Sequence, residues 1–226
     1  MLNKHLNRVV AALAVMTVST MLNAQQEAPE LTHDGLTRIE DSAADLAYAL
    51  PEADFAGYDR FIIMEPTVAF RKDWQRDFNR NQRSLSERVS DDDMERIKAG
   101  MAELFLAVFT EELEDNGYAI VEEAADDVMI LRPAIINLDV AAPDLRSTAR
   151  SRSYVTSAGS ATLYIELFDS VTGQILARAA DSRAARDRGT FQWATSVSNR
   201  AEARIVLRSW AGMLVDRLEE IHEGDD

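Results

Sequence analysis

Residues 157–173, Ser-Ala-Gly-Ser-Ala-Thr-Leu-Tyr-Ile-Glu-Leu-Phe-Asp-Ser-Val-Thr-Gly, carry the clearest statement of architecture in this chain. Leu163, Ile165 and Leu167 alternate with Thr162, Tyr164 and Glu166, the two-residue period of a strand with one buried face. Asp169-Ser170-Val171-Thr172-Gly173 follows with turn chemistry, and Ile175 to Ala179 reads as a returning strand. The segment Thr162–Asp181 is therefore expected to be a β-hairpin, and the rest of the chain must supply what covers it.

Upstream, Val128 to Val140 reads as a long strand whose Pro133 cannot donate a ladder bond and so marks an edge or a bulge. Tyr118 to Val121 is a short strand and Glu122 to Asp127 a turn. The most distinct helix runs from Asp91 to Asp115, capped by Ser90, with Asp91, Asp92 and Asp93 at its positive end. Met94, Ile97, Met101, Leu104, Phe105, Val108 and Leu113 line one face, and Asn116-Gly117 stops it. Phe61 to Met64 is a first strand, closing near Pro66 or continuing to Phe70. Arg71 to Val89 is a long polar segment with Trp74 and Phe78. Ile39 to Leu50, ending before Pro51, suggests a short helix. Asn199 and Glu202 form a candidate capping box for a last helix with the stripe Val206, Trp210, Leu214, Leu218 and Ile221. The expected fold is α+β, one mixed, mostly antiparallel sheet of about five strands, with two main helices on one face and the other face partly open. A strand–helix–strand start favours a parallel crossover, and the later short connections favour an antiparallel meander.

The N-terminus has the parts of a secretory signal. Lys4 and Arg8 charge the start, Val9 to Val18 is a short apolar core, and Ala24 is a small residue for cleavage. The expected division is a signal peptide over 1–24, a flexible leader over 25–37, one α+β domain over 38–222 and an acidic tail over 223–226. Formal net charge is -15, and loss of Lys4 and Arg8 takes it to -17. That balance argues against nucleic acid and anionic lipid as partners. With no cysteine there is no disulfide, no thiolate metal site and no cysteine nucleophile.

Several separated pieces resemble one family. They are Tyr58-Asp59-Arg60-Phe61-Ile62-Ile63 with Pro66, Asp73-Trp74-Gln75-Arg76-Asp77-Phe78-Asn79, Ala142-Pro143-Asp144, the Tyr154–Gly173 block, and Trp210-Ala211. Their order and spacing are similar to those of the bacterial envelope proteins grouped as domain-of-unknown-function family 3313, across roughly Leu36 to Leu218. The resemblance implies an envelope location and an α+β domain, and it supplies no catalytic residues. Members often look like lipoproteins, but here Leu22-Asn23-Ala24 precedes Gln25 where a cysteine would take the lipid. This chain departs from that pattern, so no lipid anchor is expected.

Catalytic chemistry is hard to assemble from these residues. His33 and His222 are the only histidines beyond the signal and do not form a ligand pair, so no metal and no cofactor are expected. Ser157, Ser160 and Ser170 lie near glycines without a Gly-x-Ser-x-Gly elbow. Glu166 and Asp169 are expected on opposite faces of their strand, which disfavours joint acid–base work. What stands out is the placement of positive charge. Thirteen of the 22 Lys and Arg beyond residue 24 fall in three windows: Arg71, Lys72, Arg76, Arg80, Arg83 and Arg88; Arg146, Arg150 and Arg152; and Arg178, Arg183, Arg186 and Arg188. Trp74, Arg76, Arg80, Arg146, Arg150, Arg152, Arg183 and Arg186 are the candidate binding residues for an envelope protein or an anionic polymer. The competing reading pairs these arginines with nearby carboxylates and packs Trp74 onto the sheet. A meander places the second and third windows at one sheet end and sends the Arg71–Arg88 segment to the other. The function expected is a non-catalytic, exported, periplasmic binding or accessory module. A structural subunit of an envelope assembly, or a hydrolase with an unrecognised site, are the alternatives. The N-terminal reading predicts a mature chain starting at Gln25, which intact-mass measurement on the exported protein checks; a product still starting at Met1 refutes it.

Overall fold

The computed structural model describes residues 28–82, 84–140, 153–155, 159–184, 192–194 and 196–224. The expected signal peptide, Arg146, Arg150, Arg152 and Arg186 lie outside them. The fold is α+β, as its sequence pattern indicates, but the main sheet has eight strands where about five were expected. In chain order the strands are β1 (Thr37–Arg38), β2 (Leu46–Ala49), β3 (Arg60–Ile63), β4 (Thr67–Phe70), β5 (Ala119–Ile120), β6 (Val128–Asp139), β8 (Ser160–Asp169) and β9 (Ile175–Ala184). The separate pair β7 (Ser153–Val155) and β10 (Gln192–Ala194) is antiparallel. The helices are α1 (Trp74–Arg80), α2 (Asp91–Asp115) and α3 (Ser196–Gly224). Spatial order is β1-β2-β9-β8-β6-β3-β5, with β4 also on β6.

The hairpin forms as read. Thr172 donates to Asp169 through its backbone N–H and hydroxyl, both at 2.6 Å, and Gly173 takes the left-handed conformation that closes the turn. Leu163, Ile165 and Leu167 face the helices, against Met129, Leu131 and Ile135 of β6. A bulge at the end of β6, with Asn137 at φ 53°, shifts the alternation so that Leu138 again turns inward.

Pro133 is neither at an edge nor in that bulge. It lies inside β6, where the partner changes from β3 to β4. The Met64 N–H donates to the Leu131 carbonyl at 2.9 Å. The next bond of a parallel ladder would run from position 133 to Met64, and proline has no proton to give. The chain breaks there at Glu65-Pro66 and resumes pairing as β4.

The helix α2 has the predicted bounds. Ser90 accepts from the Asp93 N–H, the Asp93 carboxylate accepts from the Ser90 N–H, and Gly117 follows at φ 90°. Leu104, Phe105, Val108, Phe109 and Leu113 are buried between the sheet and α3, which contributes Leu207, Trp210, Ala211, Val215 and Leu218.

Four expectations need correction, and the Arg71–Val89 segment, read only as polar, gains the helix α1. Ile39–Leu50 is not a helix: Leu46–Ala49 forms β2, because pairing with β9 outweighs the helical preference of its alanines. The stretch read as a flexible leader is tied down from residue 28, with Leu36 fully buried and the Tyr48 hydroxyl donating to the Pro29 carbonyl at 2.9 Å. Asn199 is inside α3, which starts a turn earlier at Ser196 and extends through Glu223 and Gly224, positions assigned to an acidic tail. Finally β5 and β6 are both parallel to β3, flanking it, so their short connection joins parallel strands. A strand of two residues requires only a short return path, which the seven residues 121–127 can cover. Leu104→Ala should cost about 2–5 kcal/mol, the range for truncating a buried leucine, read as a lowered chemical-denaturation midpoint.

Candidate functional site

The strand directions bring the arginine windows to one end of the sheet. β4 and β6 are parallel, and Phe70 pairs with Leu138 near the ends of both. β8 starts and β9 finishes at that same end, Ser160 pairing with Asp139 and with Ala184. The chain therefore leaves at Arg71, leaves at Asp139 to return at Gly159, and leaves again after Ala184, all from one end. This corrects the expectation that the Arg71–Arg88 segment departs at the opposite end. The antiparallel β7–β10 pair further joins the second and third connections to each other. Residues 71–89, 140–159 and 183–195 hold twelve Lys and Arg against five Asp and Glu, in a chain of net -15.

Asp139 organises this end. Arg71 donates from Nε to Asp139 Oδ2 at 2.7 Å, and the Trp74 indole N–H donates to Oδ1 at 3.1 Å. Arg71 also reaches Asp77 Oδ2 at 3.2 Å. Trp74 is 2% exposed and stacks with Phe70 and Phe78 at ring-centroid distances of 4.4 and 5.4 Å. The indole is thus packed inward, and it anchors α1 to the end of β6. Arg76 lies between Asp73 at 3.2 Å and Asp77 at 3.1 Å, while Arg80 is exposed at the end of α1. Hydrogen bonds from Arg76 and Arg71 hold the Asp77 carboxyl below its ordinary value.

Arg183 bonds Asp181 at 2.5 Å. Asp181 is 5% exposed on the helix-covered face and also accepts from the Trp210 indole at 2.8 Å and the Asp45 N–H at 3.1 Å. Of the eight candidate residues, Trp74, Arg76 and Arg80 therefore share α1, and Arg183 closes β9 at the same end. Asp181 is one of the carboxylates near the third window that the competing reading pairs with its arginines, whereas Asp139 was not singled out from sequence, although a lone carboxylate at the end of an apolar strand was a usable signal.

The helix-free face holds a second polar assembly. Glu166, 6% exposed, accepts from Arg132 Nε at 2.9 Å, Arg178 Nη2 at 3.0 Å and the Tyr164 hydroxyl at 2.9 Å. Arg178 also donates to Asp34 at 2.7 Å, and the Arg132 guanidinium lies 4.6 Å from the Phe168 ring centroid. Asp169, at the other end of β8, instead accepts from Tyr58 at 2.9 Å. The two carboxylates thus serve separate structural bonds. Among the described residues no group of three or more His, Asp or Glu could hold a metal ion.

An apolar groove lies between α3 and the edge of the sheet, with space of about 280 Å³. Ala47, Ala177 and Ala179 of β2 and β9 form its floor, and Met213 and Leu214 of α3 form one wall. Asp41, Asp216, Arg217 and Glu220 stand at its rim.

The model of the family described as "Protein of unknown function (DUF3313)" matches residues 27–214. No curated protein matches the chain. Among solved structures, a Helicobacter pylori protein described as a neuraminyllactose-binding hemagglutinin homologue is 10% identical, covering 74% of this chain and 86% of its own, with a TM-score of 0.39. A Xanthomonas campestris protein of family DUF330 is 13% identical, covering 77% and 91%, at 0.38. The PelC dodecamer of Paraburkholderia phytofirmans is 12% identical, covering 68% and 86%, at 0.34. Likenesses at these scores carry no functional argument.

The Glu166 assembly sets an acid dependence. Burial pushes Glu166 up, but bonds from Arg132, Tyr164 and Arg178 outweigh it and hold the carboxyl low. Bonds from Thr32 and Arg178 lower Asp34 to about 2. Both folded values lie below the unfolded ones, roughly 3.9 for Asp and 4.3 for Glu. Their contribution is therefore present above the unfolded values and lost as pH falls through the folded ones. The denaturation midpoint should be flat above roughly pH 5 and fall below about pH 4. Arg178→Met should lower the plateau and flatten the decline.

Proposed function

As the chain belongs to the DUF3313 family, which carries no assigned activity, we propose that it is an exported, non-catalytic binding or accessory module of the cell envelope whose basic sheet end docks an anionic partner. The observation carrying this reading is the departure of three arginine-rich connections from a single end of the sheet. With Asp139 and Asp181, which bond Arg71 and Arg183 at this end, counted in, a surplus of five positive charges still sits on a chain otherwise strongly acidic, so attraction to an anionic surface is local and oriented. Arginine suits the task, since its planar fork grips carboxylate or phosphate with paired bonds. Export rests on Lys4, Arg8, the apolar core to Val18 and Ala24. Among the described residues, no helix is long and apolar enough to cross a membrane.

Ionic partners already surround Arg71, Arg76 and Arg183, so these shape the end rather than meet the ligand. The contacts fall to Arg146, Arg150, Arg152 and Arg186 of the second and third connections and to Arg80 at the end of α1. Capture of the anionic partner from envelope extract should weaken with added salt, and replacing Arg146, Arg152 and Arg186 together with glutamine should abolish it. The folding midpoint should stay nearly unchanged. Capture that survives the triple replacement refutes the reading.

A further inference from the structure

We propose that copies of this chain associate head to tail, Leu85 and its flanking arginines of one copy seating in the groove between α3 and the β2–β9 alanine floor of the next. Leu85 is 79% exposed, the most exposed large hydrophobic side chain among the described residues. It opens the 3-10 turn Leu85–Glu87, between exposed Arg80 and Arg88. The turn closes on its own backbone, Glu87 N–H to the Ser84 carbonyl at 3.2 Å and Arg88 N–H to the Leu85 carbonyl at 3.3 Å, and the residue just past it is pinned. The Asn79 side chain donates to the Val89 carbonyl at 2.8 Å and accepts from the Val89 N–H at 2.7 Å, while Gln75 donates to the same carbonyl at 3.2 Å. A leucine presented on a clamped turn loses little further freedom on docking, which favours its use as an anchor.

The groove has the complementary chemistry. Its floor is low because alanines pair across β2 and β9, Ala47 opposite Ala179 and Ala49 opposite Ala177. Met213 and Leu214 complete an apolar wall, and no buried side-chain nitrogen or oxygen among the described residues lacks a partner, so the interior asks for an apolar occupant. The rim is acidic. Asp41, Asp216 and Glu220 are exposed, and Arg217, the cation beside them, donates to Glu220 at 2.9 Å. An apolar side chain flanked by arginines answers both the groove and the rim.

Leu85 does not seat in the molecule's own groove. The Leu85 turn follows β4, on one flank of β6, whereas the groove lies at β2–β9, beyond β8 on the other flank. The two surfaces are different patches, so the contact is heterologous and leaves each pair with a free turn and a free groove. Longer assemblies follow as concentration rises.

Sedimentation velocity on the chain, across protein and salt concentrations, tests this. The average mass should rise with protein concentration and fall with added salt, since the rim contacts are ionic. Leu85→Asp, and separately Asp216→Arg with Glu220→Arg, alter only exposed positions. Each should weaken association at least about tenfold with the folding midpoint unchanged. Mixed together, the two variants should form a 1:1 dimer and stop, because one keeps its groove and the other its turn. Four results would each overturn the proposal. They are a wild-type chain monomeric throughout, association unaffected by Leu85→Asp, a mixture of variants that stays monomeric, or a monomer whose native mass shows a bound lipid.

Discussion

A missing proton at position 133 shapes the sheet. β6 spans twelve residues and holds β8 along one side, so its other side could have carried one long partner. Proline stops that partner after Met64, and the chain must step out at Glu65-Pro66 and re-enter as β4. The step lets β3 and β4 share one flank of β6 in series. It also delivers Phe70 to the very end of β6, within reach of Asp139. The position of α1, the inward packing of Trp74 and the exit of the Arg71–Arg88 segment all depend on that arrival.

Carboxylates do much of the cross-linking in this cysteine-free chain. Asp139 joins α1 to β6, Asp181 joins α3 to β9 and the residue 45 turn, Asp169 joins Tyr58 to the hairpin, and Glu166 joins β6, β8 and β9. In three of these an aromatic ring bearing a polar atom ties one element to another: Trp74, Trp210 or Tyr58. An aromatic donor combines a large apolar contact with one directional bond, which fixes both the depth and the rotation of the element carrying it. These three aromatics are among the residues that mark the family resemblance, and each is explained by architecture. Their presence identifies the fold without identifying a reaction.

What was legible in the sequence was whatever local chemistry determines. Ser90, Asp93 and Gly117 specify the ends of α2 within a few residues of themselves, and the alternation around Leu163 specifies the hairpin. β2 was not legible. Leu46-Ala47-Tyr48-Ala49 carries three good helix formers, and its strand state comes from partners at 177–180. The direction of β5 was hidden for a similar reason, since two residues offer no period to read. The arginine windows were visible, and Asp181 lay near enough to the third to be read as its partner, but the carboxylate of the first was not: Arg71 and Asp139 are 68 positions apart. Charge spacing along a chain names the cations and leaves their distant partners to the topology. The groove depends on alanines from two distant strands, so no single window displayed it.

Gly159 returns the chain to the sheet at φ 111°, so close to Asp139 that a Cβ there would lie 2.4 Å from the Asp139 carbonyl oxygen. Exit and re-entry are thus fused into one point, whatever the chain does between them. Closing a loop costs entropy that grows only with the logarithm of its length, roughly 0.6 kcal/mol for each doubling. Insertions between Asp139 and Gly159 therefore tax the folded state lightly, because the sheet registers on either side are set by their own ladders. The scaffold can vary what it presents at this end, in length as in sequence, while the core beneath it keeps its stability.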